Sequence, residues 1–576
     1  MVLAPVRADH MTPDAPPAWR RPHSRRDVLR LGLGAAAAAL IAACTTSEDD
    51  APDEEATPEE TSAPTPVLAF APTPAIPAVA TNGLLRLATV GEPEVPSALV
   101  YSTLVTVDPR DARIHGDLAG LVEQPDPLTL TCALDGHATF HPATANGRNS
   151  APGTIDAREV ARDFAIRADA GEFLFTDVIE ETTAIDPTTL QLRLHAPYAL
   201  LLDQLGDAEM AGVRADAPST VGVPLGSGPF VPERNEDGSL TLRPHAGYHQ
   251  LGLPLLRSIH VATAERERTL GAAFAGGALD ILELVSTDSV DRAAERPDAR
   301  VLIRSSRRAR GLGLSLVESK GGHDVRFHPA FQDQRVRRAI ALALDREAIA
   351  AYDGSTAAGP VGPAFAGDAL DPVDLAEHDV FQHDPREAAR LVQAAGEEGL
   401  TFSFMSALTQ PLRGLAQLIA RQLRQTGIEP VLDLVDAATL QASLEQGDFE
   451  AILFELEAVR SPDIGLRLHV SGGLDGVSPW GYSNPVYDDA VRTALGQVDP
   501  GARAEASRAA QRLLLDDIPA MLPLPEPVER IAVAGAVGGY EYDAYDFNER
   551  GLAPLWHVGS GSAGAPRHPA AMGGAL

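Results

Sequence analysis

The chain has 576 residues and sets 47 Lys and Arg against 80 Asp and Glu, a formal charge of −33. So acidic a protein is unsuited to nucleic acid, because phosphate binding requires a clustered basic surface. Apolar residues at 44% can fill a large core, and the length fits two or three ordinary domains or one bilobal protein.

From the amino terminus, Arg25 and Arg26 stand in Ser24-Arg25-Arg26-Asp27-Val28-Leu29, and eighteen residues after Arg26 comes Ile41-Ala42-Ala43-Cys44. Paired arginines, an apolar run from Leu31 to Ala43 and small residues before cysteine predict an export signal over residues 1–43 ending at a lipidation site, Cys44. The run has thirteen residues, short of the ~20 that cross a bilayer, so cleavage and anchoring are predicted over a permanent span. The arginine pair resembles the signal of the pathway that exports folded proteins, a route open to enzymes and non-enzymes alike.

Residues 44–81 are rich in Pro, Thr, Ala and acid and predict a disordered tether; at about 3.1 Å per residue in extended form it spans on the order of 100 Å. Order is predicted from Leu84-Leu85-Arg86-Leu87-Ala88 after Asn82-Gly83. Leu128 to Leu134 alternates like a strand and contains Cys132, read as a buried structural thiol; with Cys44 assigned to lipid, no intramolecular disulfide is left. His137 and His141 nearby lack a recognised metal-ligand spacing and are read as structural.

A helix is predicted from Asp333, with Val336, Ile340, Ala343 and Leu344 facing the core and Arg335, Arg337 and Arg338 nearer solvent. Asp384 to Gly396 is the clearest helix: Asp384 as N-cap, Pro385 at the first turn, Glu387 as the capping-box acid and Gly396 as left-handed stop. Strand Leu400–Met405, helix Leu415–Thr426 and strand Ile428–Val435 then form a β-α-β unit, and the predicted class is α/β. Residues 559–576 are Gly- and Ala-rich without periodicity and read as a disordered tail. No P-loop, dinucleotide turn, zincin helix or Gly-x-Ser-x-Gly elbow occurs, so no enzyme and no cofactor is predicted.

Several segments in collinear order carry a resemblance. Gly226-Ser227-Gly228-Pro229-Phe230 looks like a "G-T-G-P-Y" turn, Gly276 to Ile281 like "x-G-E-x-D-I", Arg335 to Arg346 like "R-V-R-q-A-l-x-y-A-i-D-R", and Gly481-Tyr482-Ser483-Asn484-Pro485 like "gYsNpevD". Together they resemble the extracytoplasmic solute-binding proteins, family 5, of peptide- and nickel-type ABC importers. That resemblance implies a bilobal, class II periplasmic-binding-protein-like fold with a hinge. Residues 82–262 would form lobe I, 263–518 lobe II, and 519–558 a return to lobe I.

The resemblance also implies a small peptide-like solute, permease and ATPase subunits of an importer as partners, and a lipid-anchored position on the extracytoplasmic side of the cell membrane. In peptide-binding relatives an acid in a "W-x-x-D-Y-x-D-P" stretch holds the peptide's amino terminus. Here, with Pro462-Asp463 as anchor, Arg460 takes that position, and Glu455 or Glu457 are substitutes. A cleft-facing Arg460 would repel an ammonium about 4 Å away by about 4 kcal/mol at an effective dielectric near 20, and would favour a carboxylate. The bland reading of Arg460 is an exposed loop residue.

Gly91 to Pro96 is compressed relative to such proteins just before the segment of Tyr101, which becomes a candidate cleft residue. Trp480 and Tyr482 are candidate aromatic walls or core packing. Two other functions stay open: a ligand-degenerate lipoprotein serving as sensor or envelope interaction protein, and a binder of nickel complexes.

Overall fold

The structure, a computed structural model, describes most of residues 83–540 and short strands at 67–69 and 556–557; the longer stretches outside it are residues 1–66, 70–82, 108–113, 457–460, 473–477, 541–555 and 558–576. Arg25, Arg26, Cys44, most of the tether and the tail thus lie outside the described residues. Within the tether, Val67–Ala69 departs from the expected disorder: it is strand β1, antiparallel to Leu121–Glu123. The reason is local, since three non-proline residues in a proline-rich stretch retain the N–H groups that an open sheet edge can pair.

Strand β2 (Leu84–Val90) goes to a different sheet from β1. The first sheet takes β3 (Ala119–Asp126), β4 (Thr129–Leu134), β5 (Ile179–Asp186) and β6 (Thr189–Leu194) in the order β1-β3-β4-β6-β5. Leu130, Cys132 and Leu134 alternate inward along β4, and burial pushes the Cys132 thiol up to about 12, as befits a packing residue. Helix α1 (Ala157–Asp169) shares this core through Val160 and Phe164, its N-cap Asp156 accepting from the amides of Arg158 and Glu159. His141 is buried while His137 is exposed; desolvation holds the His141 imidazole down to about 4.

The second sheet has the order β7 (Phe230–Arg234), β8 (Leu240–Pro244), β9 (Ser258–Ala264), then β2, which runs parallel to β9. β10 (Ile281–Glu283) and β11 (Arg300–Ser305) flank the late strand Val528–Val533. Asp280 joins these two sheets: fully buried, its carboxylate accepts from the Arg86 amide (2.8 Å) and guanidinium (2.6 and 3.0 Å).

A further five-stranded sheet has the order β14-β13-β15-β12-β16, from β12 (Ala309–Leu314), β13 (Thr401–Ala407), β14 (Glu429–Val435), β15 (Ala451–Leu456) and β16 (Met521–Pro523). Helices α2 (Gln334–Ala343), α3 (Pro385–Ala395) and α4 (Leu412–Arg424) pack with it in one apolar core. β13 and β14 are parallel with α4 between them in sequence, the β-α-β unit that the periodicity predicts. Asp384 caps α3 through the amides of Arg386 and Glu387, and Gly396 ends it at φ 80°. The reciprocal capping-box arm is replaced: the Asp384 amide donates to Leu342 O, and Glu387 pairs with Arg390.

One further expectation is corrected. Arg337 on α2 is buried, its guanidinium donating to the carbonyls of Phe331, Gln332 and Ile518, because those exposed chain ends need donors inside the core. The strand pairing also crosses the expected lobe limits. β10 and β11, within the span expected in lobe II, pair with Val528–Val533, whereas β16, within the expected return segment, pairs with β12. Apolar pairing on each sheet, not chain position, decides where these segments go.

β12 carries Gly311 and Gly313 where side chains of neighbouring elements press in: a Cβ on Gly313 would lie 2.1 Å from Trp480 Cζ3. Gly313→Ala is expected to destabilise the protein by about 1–3 kcal/mol through overpacking, measured as a shifted urea midpoint with unchanged slope; an unchanged midpoint would show that Trp480 can move away.

Candidate functional site

In open α/β sheets, ligands bind outside the carboxyl ends of the strands. The register places the ends of β13 and β14 together (Ala407 opposite Val435), and the end of β15 opposite the start of β12 (Leu456 opposite Ala309). The end of β16 lies at the same edge, Pro523 opposite Gly311. Both chain crossovers to the other sheets, 306–308 and 524–527, therefore leave from this carboxyl edge.

The crossovers are dense in charge. Arg304 pairs with Glu529 at 2.6 Å, and the buried Arg310 reaches Glu455 (2.6 Å), Asp353 (2.8 Å) and the carbonyl of Pro525 (3.1 Å). Arg308 approaches Glu455 at 3.9 Å. Glu526 is 5% exposed, and its backbone exchanges hydrogen bonds with Thr356 in both directions. Burial pushes its carboxyl well above the usual carboxylate range, with Arg310 acting the other way. Ser306, Arg307, Arg308, Phe365, Pro462 and Glu526 line a small cavity with space for about one water.

A second group of contacts ties the first half of the chain to helix α5 (Pro462–Arg467) and its surroundings. Tyr198 Oη donates to Asp463 Oδ2 at 2.9 Å and accepts from Gln204 Nε2 at 2.7 Å. Burial, and then the Asp463 carboxylate, raise the Tyr198 hydroxyl well above its ordinary value. The Ala199 amide donates to Leu495 O at 2.8 Å, and the Arg467 guanidinium lies 3.8 Å over the Phe173 ring.

The sequence candidates divide. Asp463 sits in this contact, its side chain fully enclosed. Glu455 is engaged by Arg308 and Arg310, whereas Glu457 and Arg460 lie outside the described residues. Trp480 takes the core alternative: it has no exposed surface, packs against Phe449 and Phe454, and donates from Nε1 to Leu468 O at 2.9 Å. Tyr482 is also buried, its hydroxyl donating to Asp517 at 2.7 Å. Tyr101 is 5% exposed and donates to Pro224 O at 3.1 Å, while Gly226 and Gly228 close on the backbone of 99–101.

Tyr198, Ser306, Arg308 and Glu526 escaped the sequence reading. For the crossovers a signal existed: Arg304-Ser305-Ser306-Arg307-Arg308-Ala309-Arg310 holds four arginines without helical periodicity, and Glu526 stands between two prolines. Among the described residues, no group of three or more His, Cys, Asp or Glu is placed to hold a metal ion.

Tyr198→Phe leaves Asp463 Oδ2 and Gln204 Nε2 without their shared hydroxyl inside a buried contact. A loss of about 1–3 kcal/mol is expected in denaturant melts, with a larger radius of gyration by small-angle scattering; parental values in both would show that the contact does not hold the lobes together.

Comparison with known proteins agrees with this architecture. The chain is 23% identical over 389 residues to the glutathione-binding protein GsiB of Escherichia coli K12, covering 62% of this chain and 70% of that one. Among solved structures it is similar to the periplasmic binding protein DppA of Helicobacter pylori in complex with the peptide STSA, with TM-score 0.68, 18% identity and 83% and 98% of the two chains covered. It is similar also to AgaA of A. tumefaciens R10 in complex with agropinic acid, with TM-score 0.66, 21% identity and 82% and 99% covered. The family model "Bacterial extracellular solute-binding proteins, family 5 Middle" matches residues 114–467, more than half of the chain. With two lobes joined by paired crossovers at a sheet's carboxyl edge, the chain belongs to the bacterial extracellular solute-binding proteins of family 5.

Proposed function

We propose that this solute-binding protein is the lipid-anchored receptor of an ABC importer, capturing a small peptide-like solute between its lobes and presenting it to permease and ATPase partners. The observation that carries the reading is the crossover region, where both connections leave the carboxyl edge beside a small, mainly apolar cavity. Receptors of this kind work as a two-state equilibrium in which solute contacts from both lobes favour the closed form. The protein is not an enzyme on this reading, since its named relatives are binding proteins.

We place lobe I in residues 82–305 with 524–540, and lobe II in 306–523, following strand pairing. Export through Arg25 and Arg26 and anchoring through Cys44 would hold the receptor at the extracytoplasmic face of the cell membrane, with the acidic tether as spacer. DppA in complex with the peptide STSA and the glutathione-binding GsiB support a peptide-like solute, while NikA of Staphylococcus aureus in complex with Ni(L-His)2 supports a nickel complex as the second reading.

Thermal-shift screening with peptides, opines and metal chelates should reveal a stabilising member; at a hundredfold excess over Kd the expected gain is about 2.7 kcal/mol. Silence across all three sets would favour a ligand-degenerate envelope protein. For the anchor, Cys44→Ser should abolish incorporation of radiolabelled fatty acid and release the protein from membranes, and replacing Arg25 and Arg26 with Lys should block export. Membrane retention of the Cys44→Ser protein would count against lipidation.

A further inference from the structure

We propose that Val67–Ala69 is a docking strand through which the tether moors to lobe I at the edge of the first sheet, so that the anchor acts on lobe I and its reach is set by residues 44–66. The role given to the anchor rests on the lipid-anchored reading above; the docking itself does not.

The first observation is the pairing. Val67, Leu68 and Ala69 stand opposite Glu123, Val122 and Leu121 in antiparallel register, while the other side of β3 pairs with β4. β1 is thus the outermost strand, on an edge that would otherwise present a row of unpaired N–H and C=O groups, and such a row readily accepts another strand. The next strand, β2, belongs to the second sheet. The chain entering the lobe is therefore held at two sheets, not one.

The second observation is where the tether keeps its charge. All eight of its acids lie in residues 48–60, and none falls between Thr61 and Gly91. The strand that docks is uncharged, as this edge requires: Val67 stands opposite Glu123, and an acid in its place would meet a like charge across the ladder. Pro66 and Pro72 bracket the docked stretch and cannot donate to a ladder, which keeps pairing from spreading along the tether. Docking also shortens the chain between lipid and protein. From Cys44 about 23 residues reach β1, against about 40 to β2, or at about 3.1 Å per residue roughly 70 Å against roughly 120 Å. The tie to the membrane then runs through lobe I.

The test is disulfide trapping in the mature Cys44→Ser protein. Val67→Cys with Glu123→Cys, and Leu68→Cys with Val122→Cys, are in register. Val67→Cys with Val122→Cys, and Leu68→Cys with Glu123→Cys, are one residue out, which turns the paired side chains to opposite faces. Under glutathione disulfide, read by peptide mass spectrometry, the in-register pairs should cross-link at least about tenfold faster, because only they bring Cβ atoms within bridging distance. Val122 is 1% exposed, so the two Glu123 pairs supply the readout if its variants fail to fold. Equal rates would show a tether that wanders over the surface and would overturn the docking. In the lipidated protein on a supported bilayer, neutron reflectometry measures the height of the lobes. Oxidising the Val67→Cys, Glu123→Cys pair should leave that height unchanged, since the strand is already seated, whereas a fall of about 10 Å or more would overturn the mooring. Loss of the protein from the bilayer would count against the anchor and leave the docking to the cross-linking result.

Discussion

The structure depends on pairing charge where the chain crosses between lobes. Arg310 is sealed from solvent yet carries a full charge, and an unpaired guanidinium there would cost several kcal/mol of lost hydration. Glu455, Asp353 and the Pro525 carbonyl surround it, and these partners come from the end of β15, from the end of the helix Arg346–Asp353 and from the second crossover. One cation thereby ties three distant stretches to the first crossover. The crossover strands are fixed at the lobe II side by this ion group and at the lobe I side by Arg304 and Glu529. Between the two anchors lie Ser306, Arg307 and Arg308, a short span of which the first two are buried.

The contacts between lobes add a second constraint. Tyr198 and Asp463 meet in a buried hydrogen bond, and Arg467 stacks on Phe173.

Much of the second lobe was legible from local chemistry. Asp384, Pro385 and Gly396 bound α3 because capping and left-handed termination act within a few residues. The β-α-β unit at 401–435 was readable because its periodicities switch cleanly. The aromatic candidates fared differently. Trp480 reads equally well as wall or core, and only the side-chain-free backbone of Gly313, more than 150 residues away, decides for core. Arg337 illustrates the same limit: its charge predicts solvent exposure, but carbonyls left by the chain near Phe331 and Ile518 draw it inside.

What the amino-acid sequence alone determined was local or collinear: the helix caps, the alternating strands, the expected export signal and tether, and the order of motifs that identifies the family. These depend on neighbours within about one turn or on motif succession, both of which are written along the chain. The sheet membership of β10, β11 and β16, the joining of Tyr198 to Asp463 and the cavity of Ser306, Arg308 and Glu526 were decided only by tertiary structure. Each brings together residues roughly 200 positions or more apart, and nothing in local propensity specifies which distant surfaces will complement one another in charge and shape.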